Sequence, residues 1–235
     1  MPETRDRLII ALDVDSASQA QQIVQAVGES FSTFKVGKQL FTAEGPQIVR
    51  DLVSSGKKVF LDLKFHDIPN TVAAAVRQAS ALRVDMLTVH ASGGSKMLNA
   101  AAGAAGNNVL VLAVTVLTSL ADEDLSEIGV AGNVQAQVLR LARLARASGI
   151  RGLVASAHEA RELRHELGDD FAIVTPGVRP AGAAKGDQAR VVTPADALRA
   201  GASHIVVGRP ISEAPDPAQA AREILRELEG VFQVR

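Results

Sequence analysis

An aspartate, a lysine and a second aspartate lie close together at the end of an apolar run. The apolar residues Val59–Leu61 lead into Asp62, Lys64 and Asp67. Because successive side chains of a strand point to opposite faces, we expect Asp62 and Lys64 to share one face. Opposite charges that are turned inward together each lose several kcal/mol of hydration. The spacing therefore indicates either a structural ion pair or an active site, and its context favours the active site.

Charged residues also mark the ends of other apolar runs. Asp13 follows the first run, Lys35 lies in the second, and His90 closes the fourth. Solvated loop residues would explain any one of these positions, but not their repeated occurrence where a strand should end. Further polar segments follow the fifth, seventh and eighth runs: Thr115–Ser119, Pro176–Arg179 and Gly208–Pro210.

The last of these segments has the composition of a phosphate site. Gly208 leaves the backbone open to an anion at the start of a short helix, and Arg209 supplies a planar guanidinium suited to phosphate oxygens. Taken alone, the same residues also describe a simple helix start. In the (β/α)8 barrel that the whole chain predicts, these residues follow the eighth strand, where such barrels frequently bind phosphate. We therefore expect them to bind phosphate. The loop of residues 175–189, which contains Arg179 and Gln188, is long enough to fold over a ligand.

Eight apolar runs alternate with helical patterns along the chain. This alternation predicts parallel strands joined by right-handed crossovers. Eight such units in 235 residues predict a single (β/α)8 barrel domain over residues 1–235. The predicted strands are Leu8–Leu12, Thr33–Val36, Lys58–Leu63, Met86–His90, Val109–Thr115, Gly152–Ala155, Phe171–Thr175 and His204–Val207. The clearest helices are Ser18–Val27, Pro46–Ser54, Thr71–Leu82, Asn99–Gly106, Val134–Ala147 and Ala218–Glu229.

Residues at the helix ends support these boundaries. Asp216 and Pro217 are a capping side chain and a first-turn proline, and Gly149 and Gly201 lie where helices should end. An open, doubly wound sheet is the alternative fold. It normally has a glycine-rich turn after the first strand, and the segment Asp13–Ser16 contains no glycine.

Composition excludes several classes of function. The formal net charge is −1, and there are seven Phe but no Trp or Tyr, so the chain has neither the charge nor the stacking surface expected for nucleic acid. It contains no cysteine, which excludes disulfides and thiolate chemistry. No apolar run is long enough to span a membrane, and the polar amino terminus does not resemble a signal peptide. We expect a soluble, cytoplasmic protein without a membrane partner. We also expect no metal site, with His66 and His90 orienting loops.

Seven segments of the chain carry motifs that occur together in one family. They are Ala11–Asp13, Phe34–Lys38, Phe60–Thr71, Val89–Gly94, Val114–Ser119, Thr175–Pro180 and Val207–Pro210. In this order the chain resembles the orotidine 5′-phosphate decarboxylases, and their bacterial branch most closely. The Asp-x-Lys-x-x-Asp signature alone is shared with sister phosphosugar enzymes, but its combination with Lys35 is much more specific.

The resemblance implies a reaction, a site and an assembly. The reaction is loss of CO2 from orotidine 5′-monophosphate, the last step of UMP synthesis, without metal or organic cofactor. The assembly is a homodimer in which Asp67 and Thr71 reach into the partner's site. Lys64 is the implied proton donor, Asp62 lies beside the departing carboxylate, and Lys35 and Asp13 hold the ribose. The implied catalytic residues are Lys64, Asp62, Asp67 and Lys35; those implied to bind substrate are Asp13, Lys35, Asp62, Thr71, Thr118, Ser119, Arg179, Gln188, Gly208 and Arg209.

This chemistry suits the residue types. Loss of CO2 leaves a carbanion in the plane of the pyrimidine ring, where the π-system cannot delocalise it. A fixed ammonium at Lys64 would stabilise that charge in a site closed to water. Asp62 and Asp67 flank Lys64 in the sequence and are expected to keep it protonated.

Two alternatives remain open. The first is a magnesium-dependent sister enzyme, such as a keto-gulonate-phosphate decarboxylase or a hexulose-phosphate synthase. Those enzymes place an acidic metal ligand on the second strand, where Lys35 of this chain would repel Mg2+. The second is a nucleotide-binding barrel that has lost catalysis, which the complete set of charged positions disfavours.

Overall fold

Eight parallel strands form a closed barrel in the computed structural model, which describes residues 4–180 and 192–233. Each strand pairs with the next, and the last pairs with the first. The predicted (β/α)8 barrel is therefore confirmed, and the open sheet is excluded. The strands are β1 (Leu8–Ala11), β2 (Thr33–Gly37), β3 (Lys58–Phe65), β4 (Met86–His90), β5 (Leu110–Val114), β6 (Gly152–Val154), β7 (Ala172–Thr175) and β8 (His204–Val207).

Helices surround the barrel and connect successive strands. They are α1 (Ala17–Val27), α2 (Lys38–Glu44), α3 (Gln47–Ser54), α4 (Pro69–Ala81), α5 (Gly94–Ala105), α6 (Asp122–Glu127), α7 (Val134–Ala147), α8 (Ala157–Leu167), α9 (Pro194–Arg199), α10 (Arg209–Ser212) and α11 (Pro217–Gln233). Among the described residues, no helix is both long and apolar enough to cross a membrane.

The apolar runs become strands because both of their faces are buried. Alternate residues fill the inside of the barrel, and the others pack against the helices in a larger outer layer. The buried residues of the inner core are Ile9, Ala11, Phe60, Leu112, Val174 and Val206.

The predicted helix ends are confirmed. Asp216 Oδ1 accepts a hydrogen bond from the Gln219 amide at 2.9 Å and so caps α11. Gly149 and Gly201 follow the ends of α7 and α9 with φ of 78° and 113°. These left-handed conformations explain why glycine stands at both positions.

Strand β3 differs from its prediction. It continues two residues further, to Phe65, and its register against β4 shifts between Leu61 and Phe65. Lys64 lies within this β-bulge and has a φ of 53°, which is unusual for a residue other than glycine. Simple alternation of side chains, the basis of the prediction for Asp62 and Lys64, therefore does not hold through the end of β3.

Candidate active site

Four alternating charges form a connected row at the carboxyl end of the barrel. Lys64 Nζ lies 2.8 and 2.7 Å from Oδ1 and Oδ2 of Asp62. Lys35 Nζ lies 2.7 Å from Asp13 Oδ1 and 4.0 Å from Asp62 Oδ2. The order along the row is therefore Asp13, Lys35, Asp62 and Lys64, with each charge next to one of opposite sign.

Most of this row is shielded from solvent. The exposed fractions of the side chains are 10% for Lys35, 13% for Asp62, 23% for Lys64 and 51% for Asp13. Charges interact more strongly where water is largely excluded. The row thus runs from the half-exposed Asp13 to an interior where a fixed charge can act strongly on a ligand.

Strand β2 brings Lys35 into the barrel, and Gly37 leaves room for its ammonium. Thr33, Lys35 and Gly37 occupy alternate positions of β2. A Cβ added at residue 37 would lie 2.8 Å from Asp13 Oδ1 and 3.0 Å from Lys35 Nζ. A side chain at this position would therefore displace the ion pair, although Gly37 has an ordinary extended backbone.

The bulge in β3 brings Lys64 to the row by a local distortion. The Lys64 amide donates to Thr88 Oγ1 at 2.9 Å, and the Thr88 hydroxyl donates to Asp62 Oδ1 at 2.9 Å. A non-glycine residue with positive φ stores on the order of 1–3 kcal/mol and persists only where its surroundings hold it. Such strain is typical of functional sites.

One cavity of about 350 Å³ opens beside the row and has mostly apolar walls. Lys35, Asp62 and Lys64 form its charged side. Thr118 and Ser119 from the β5–α6 loop add hydroxyl groups. A flat, largely apolar ring with polar substituents fits these walls. The remaining lining residues are Phe60, Val114, Val116, Leu117, Val154, Ala155, Pro176 and Val206.

A second cavity of about 530 Å³ adjoins the first and is more polar. It shares Lys35, Asp62 and Lys64 with the first cavity, so the row of charges lies where the two meet. Its outer part is lined by Asp13, Gln39, Arg179, Gly208 and Arg209, among others. Two guanidinium groups and an open glycine backbone are suited to an anion such as phosphate.

The backbone of Arg179 is held by Val192, which lies just before α9. The residue is 8% exposed, and its amide donates to Val192 O at 3.1 Å. A bridge between Val178 and Val192 joins the two sides of the loop. Gln188, the remaining predicted phosphate ligand, lies outside the described residues.

Asp67 and Thr71 lie apart from both cavities of their own chain. Asp67 follows β3 and is exposed, and its Oδ1 accepts from the Ile68 amide at 2.6 Å. Thr71 is exposed in the first turn of α4. Neither residue lines the two cavities within the part of the chain that is described. The single chain thus brings together most of the predicted residues but not these two.

Two histidines pack together near the rim. The ring centroids of His66 and His90 are 5.4 Å apart. Burial lowers the pKa of His90, and the nearby His66, Lys38 and Lys64 lower it further. Within residues 4–180 and 192–233, no cluster of three or more His, Asp or Glu side chains could hold a metal ion.

Sequence reasoning missed Thr88 and Gly37 as parts of the site. Thr88 is fully buried in the middle of β4, between the apolar Leu87 and Val89. A threonine within an apolar strand was the available signal, but threonine is common in strands. Gly37 had a clearer signal, because it follows Lys35 at the spacing that puts both residues on one face.

The chain matches one known family over most of its length. The model of the "Orotidine 5′-phosphate decarboxylase / HUMPS family" matches residues 6–224. An orotidine 5′-phosphate decarboxylase from Alkalilimnicola ehrlichii is 54% identical over 96% of this chain and 97% of its own length. One from Heliobacterium modesticaldum is 51% identical over 96% and 97%. The crystal structure of orotidine 5′-phosphate decarboxylase from Lactobacillus acidophilus superposes with a TM-score of 0.85 and 39% identity, covering 95% of this chain and 99% of that one.

These matches confirm the resemblance seen in the sequence, and the superposed structure agrees with the closed barrel. The chain belongs to the orotidine 5′-phosphate decarboxylase / HUMPS family.

Proposed function

We propose that this chain decarboxylates orotidine 5′-monophosphate to UMP and CO2, as the last step of pyrimidine nucleotide synthesis in the cytoplasm. One observation carries the proposal: the Lys64 ammonium is held by both oxygens of Asp62 where an apolar cavity meets a polar one. A pyrimidine nucleotide has the same division, with a flat ring at one end and a phosphate at the other.

The two cavities suggest how the nucleotide binds. The pyrimidine ring occupies the apolar cavity and faces the hydroxyls of Thr118 and Ser119. The ribose lies along Lys35 and Asp13, next to the row of charges. The phosphate lies in the polar cavity, where Gly208 and Arg209 start α10. Arg179, which also lines the polar cavity, is a second proposed phosphate ligand. Gln188, outside the described residues, is proposed as a further one.

The reaction needs one bond broken and one proton supplied. The bond between C6 and the carboxylate breaks, CO2 leaves, and the electron pair stays on C6 in the plane of the ring. The Lys64 ammonium stabilises this charge as it forms and donates its proton to C6, which gives UMP. The neutral amine then takes a proton from water. Because Asp62 holds Lys64 before substrate arrives, little rearrangement is required. The residues supply every group in this scheme, so we propose that no metal or organic cofactor takes part.

The active assembly is proposed to be a homodimer. Asp67 and Thr71 of each chain would complete the partner's site. Their exposure in the single chain supports this arrangement, as does Ile68 between them, which leaves 66% of its surface exposed. A large apolar side chain so exposed beside charged residues suits a protein interface.

Lys35 argues against the magnesium-dependent alternative. Its ammonium lies between the carboxylates of Asp13 and Asp62. A divalent cation bound by either carboxylate would meet this positive charge at short range. The metal-free reaction therefore fits the site better.

A turnover assay tests the proposal. Purified wild-type protein is incubated with orotidine 5′-monophosphate in EDTA, and UMP and CO2 are measured together. We expect the two products in equal amounts, with no change on addition of Mg2+. A folded wild-type protein that releases neither product, or that needs Mg2+, would contradict the proposal.

A further inference from the structure

The hydroxyl of Thr88, on β4, contacts both Lys64 and Asp62 of the neighbouring strand β3. It accepts a hydrogen bond from the Lys64 amide and donates one to Asp62 Oδ1, both at 2.9 Å. Thr88 itself is fully buried. No water can therefore readily replace either bond.

The register of β3 against β4 explains why the Lys64 amide needs a side-chain acceptor. Leu61 pairs with Leu87 and Phe65 with Val89, so three residues of β3 lie opposite the single residue Thr88. The bulge takes the Lys64 amide out of the regular ladder, and the Thr88 hydroxyl serves as its acceptor. A buried amide without an acceptor would be strongly unfavourable.

The three residues form a closed ring of contacts. Lys64 is held through its backbone by Thr88 and through its ammonium by Asp62, and Thr88 is bonded to Asp62. The hydrogen bond from the Lys64 amide to Thr88 fixes the lysine backbone, and the Asp62 carboxylate fixes the position of the ammonium. A long, flexible side chain is thereby restricted at both ends.

We propose that Thr88 is a positioning residue for the proton donor Lys64. Through its two hydrogen bonds it keeps the bulge in place and orients the carboxylate that grips the ammonium. This inference rests on the proposed decarboxylation, because the position of Lys64 matters to the rate only if Lys64 acts on the substrate.

Substitutions at Thr88 separate the effect of its hydroxyl group from the effect of its shape. Thr88→Val keeps the shape and removes the hydroxyl. Thr88→Ser and Thr88→Ala both remove the methyl group, and only Ser keeps the hydroxyl. We expect kcat to fall on the order of 100-fold in the Val and Ala variants, because a displacement of about 1 Å has that effect, while KM stays close to the wild-type value. Thr88→Ser should keep most of the wild-type kcat.

Thr33→Val is the matched control. Thr33 is also a buried barrel threonine, but it begins β2 at the opposite end of the barrel. Its variant should keep wild-type kcat. Thermal unfolding of every variant shows whether a lost rate reflects lost fold. If Thr88→Val does not fold, the comparison of Ser with Ala still decides the question.

Two outcomes would overturn the inference. One is equal kcat in the Ser and Ala variants. The other is a Thr88→Ala crystal structure in which Lys64 keeps its positive φ and its contact with Asp62. The structural comparison needs no substrate, so it remains decisive if the wild type proves inactive and the proposed function fails.

Discussion

The Lys64 ammonium meets the Asp62 carboxylate in a two-pronged contact, with Nζ at 2.8 and 2.7 Å from the two oxygens. Both groups are largely buried, and Lys35 approaches one of the same oxygens at 4.0 Å. The Lys64 ammonium is therefore already fixed at the cavity wall before a ligand binds. Preorganised charge of this kind stabilises a developing anion without reorganisation during the reaction.

Gly37→Ala is expected to disable the site while the barrel stays folded. The new methyl group would lie within 3.0 Å of both Asp13 Oδ1 and Lys35 Nζ, so the ion pair must move. A displacement on that scale should lower kcat/KM by about 100-fold. Steady-state kinetics and circular dichroism test this expectation.

Gly103→Ala is the matched control for Gly37→Ala. Gly103 lies in α5, and a Cβ there would have no neighbour within 4 Å. This variant should be fully active and slightly more stable, because alanine favours a helix. If Gly37→Ala is as active as Gly103→Ala, the close approach at residue 37 has no functional role.

Arg209→Ala should weaken the binding of the phosphate and of nothing else. Arg209 begins α10 and lines the polar cavity. Loss of a charge-assisted hydrogen bond, about 1.5–3 kcal/mol, corresponds to roughly a 10- to 100-fold increase in KM for orotidine 5′-monophosphate. For orotidine, which has no phosphate, the variant and the wild type should show the same kcat/KM. An equal loss of kcat/KM with both substrates would rule out phosphate recognition by Arg209. The control is Arg151→Ala, which changes an exposed arginine just before β6.

A mixing experiment tests whether Asp67 acts across a dimer. Lys64→Ala and Asp67→Ala proteins, each nearly inactive, are unfolded together, refolded and assayed. If Asp67 serves the partner's site, mixed dimers contain one intact site and the mixture should regain about one quarter of wild-type activity. If Asp67 serves its own chain, every site has a defect and no activity returns.

His204 should make the protein less stable in mild acid. Burial lowers the pKa of His204 to about 4, with a further contribution from Arg7. The folded state thus favours the neutral ring, and this stability is complete above the unfolded value of 6.5 and is lost as pH falls towards 4. Between about pH 7.5 and pH 5 the loss is about 2 kcal/mol of unfolding free energy.

Urea unfolding at the two pH values measures this loss. His204→Gln should be less sensitive to acid than the wild type by that amount. His165→Gln, at an exposed position of α8, should behave like the wild type. The same pH dependence in all three proteins would exclude His204 as its source.

Much of the barrel could be predicted because apolar runs and strands coincide. Strands β4 and β8 and helix α7 have the predicted bounds. The buried residues of each of these elements are flanked by turn or capping residues, which mark where the element ends. The short helix α2 was not predicted. It directly follows β2 and has seven residues, too few for a helical period to stand out.

The site was predictable in its residue types but not in its geometry. Asp13 follows β1, Lys35 lies in the middle of β2, and Asp62 lies in the second half of β3. A parallel barrel brings corresponding parts of its strands together. The bulge at Lys64 depends on a hydrogen bond to Thr88, which belongs to another strand and is 24 residues away. A local sequence pattern cannot predict a contact between residues so far apart in the chain.

The most direct test compares two lysines of the same strand. Lys64→Ala and Lys58→Ala are assayed with orotidine 5′-monophosphate in EDTA; Lys58 lies at the other end of β3, where it pairs with Asp6 at 3.2 Å. Loss of the proton donor and of its charge should slow the Lys64 variant by about 10⁴-fold or more, while the Lys58 variant keeps the wild-type rate. A folded Lys64→Ala protein that releases CO2 at the wild-type rate would contradict the account.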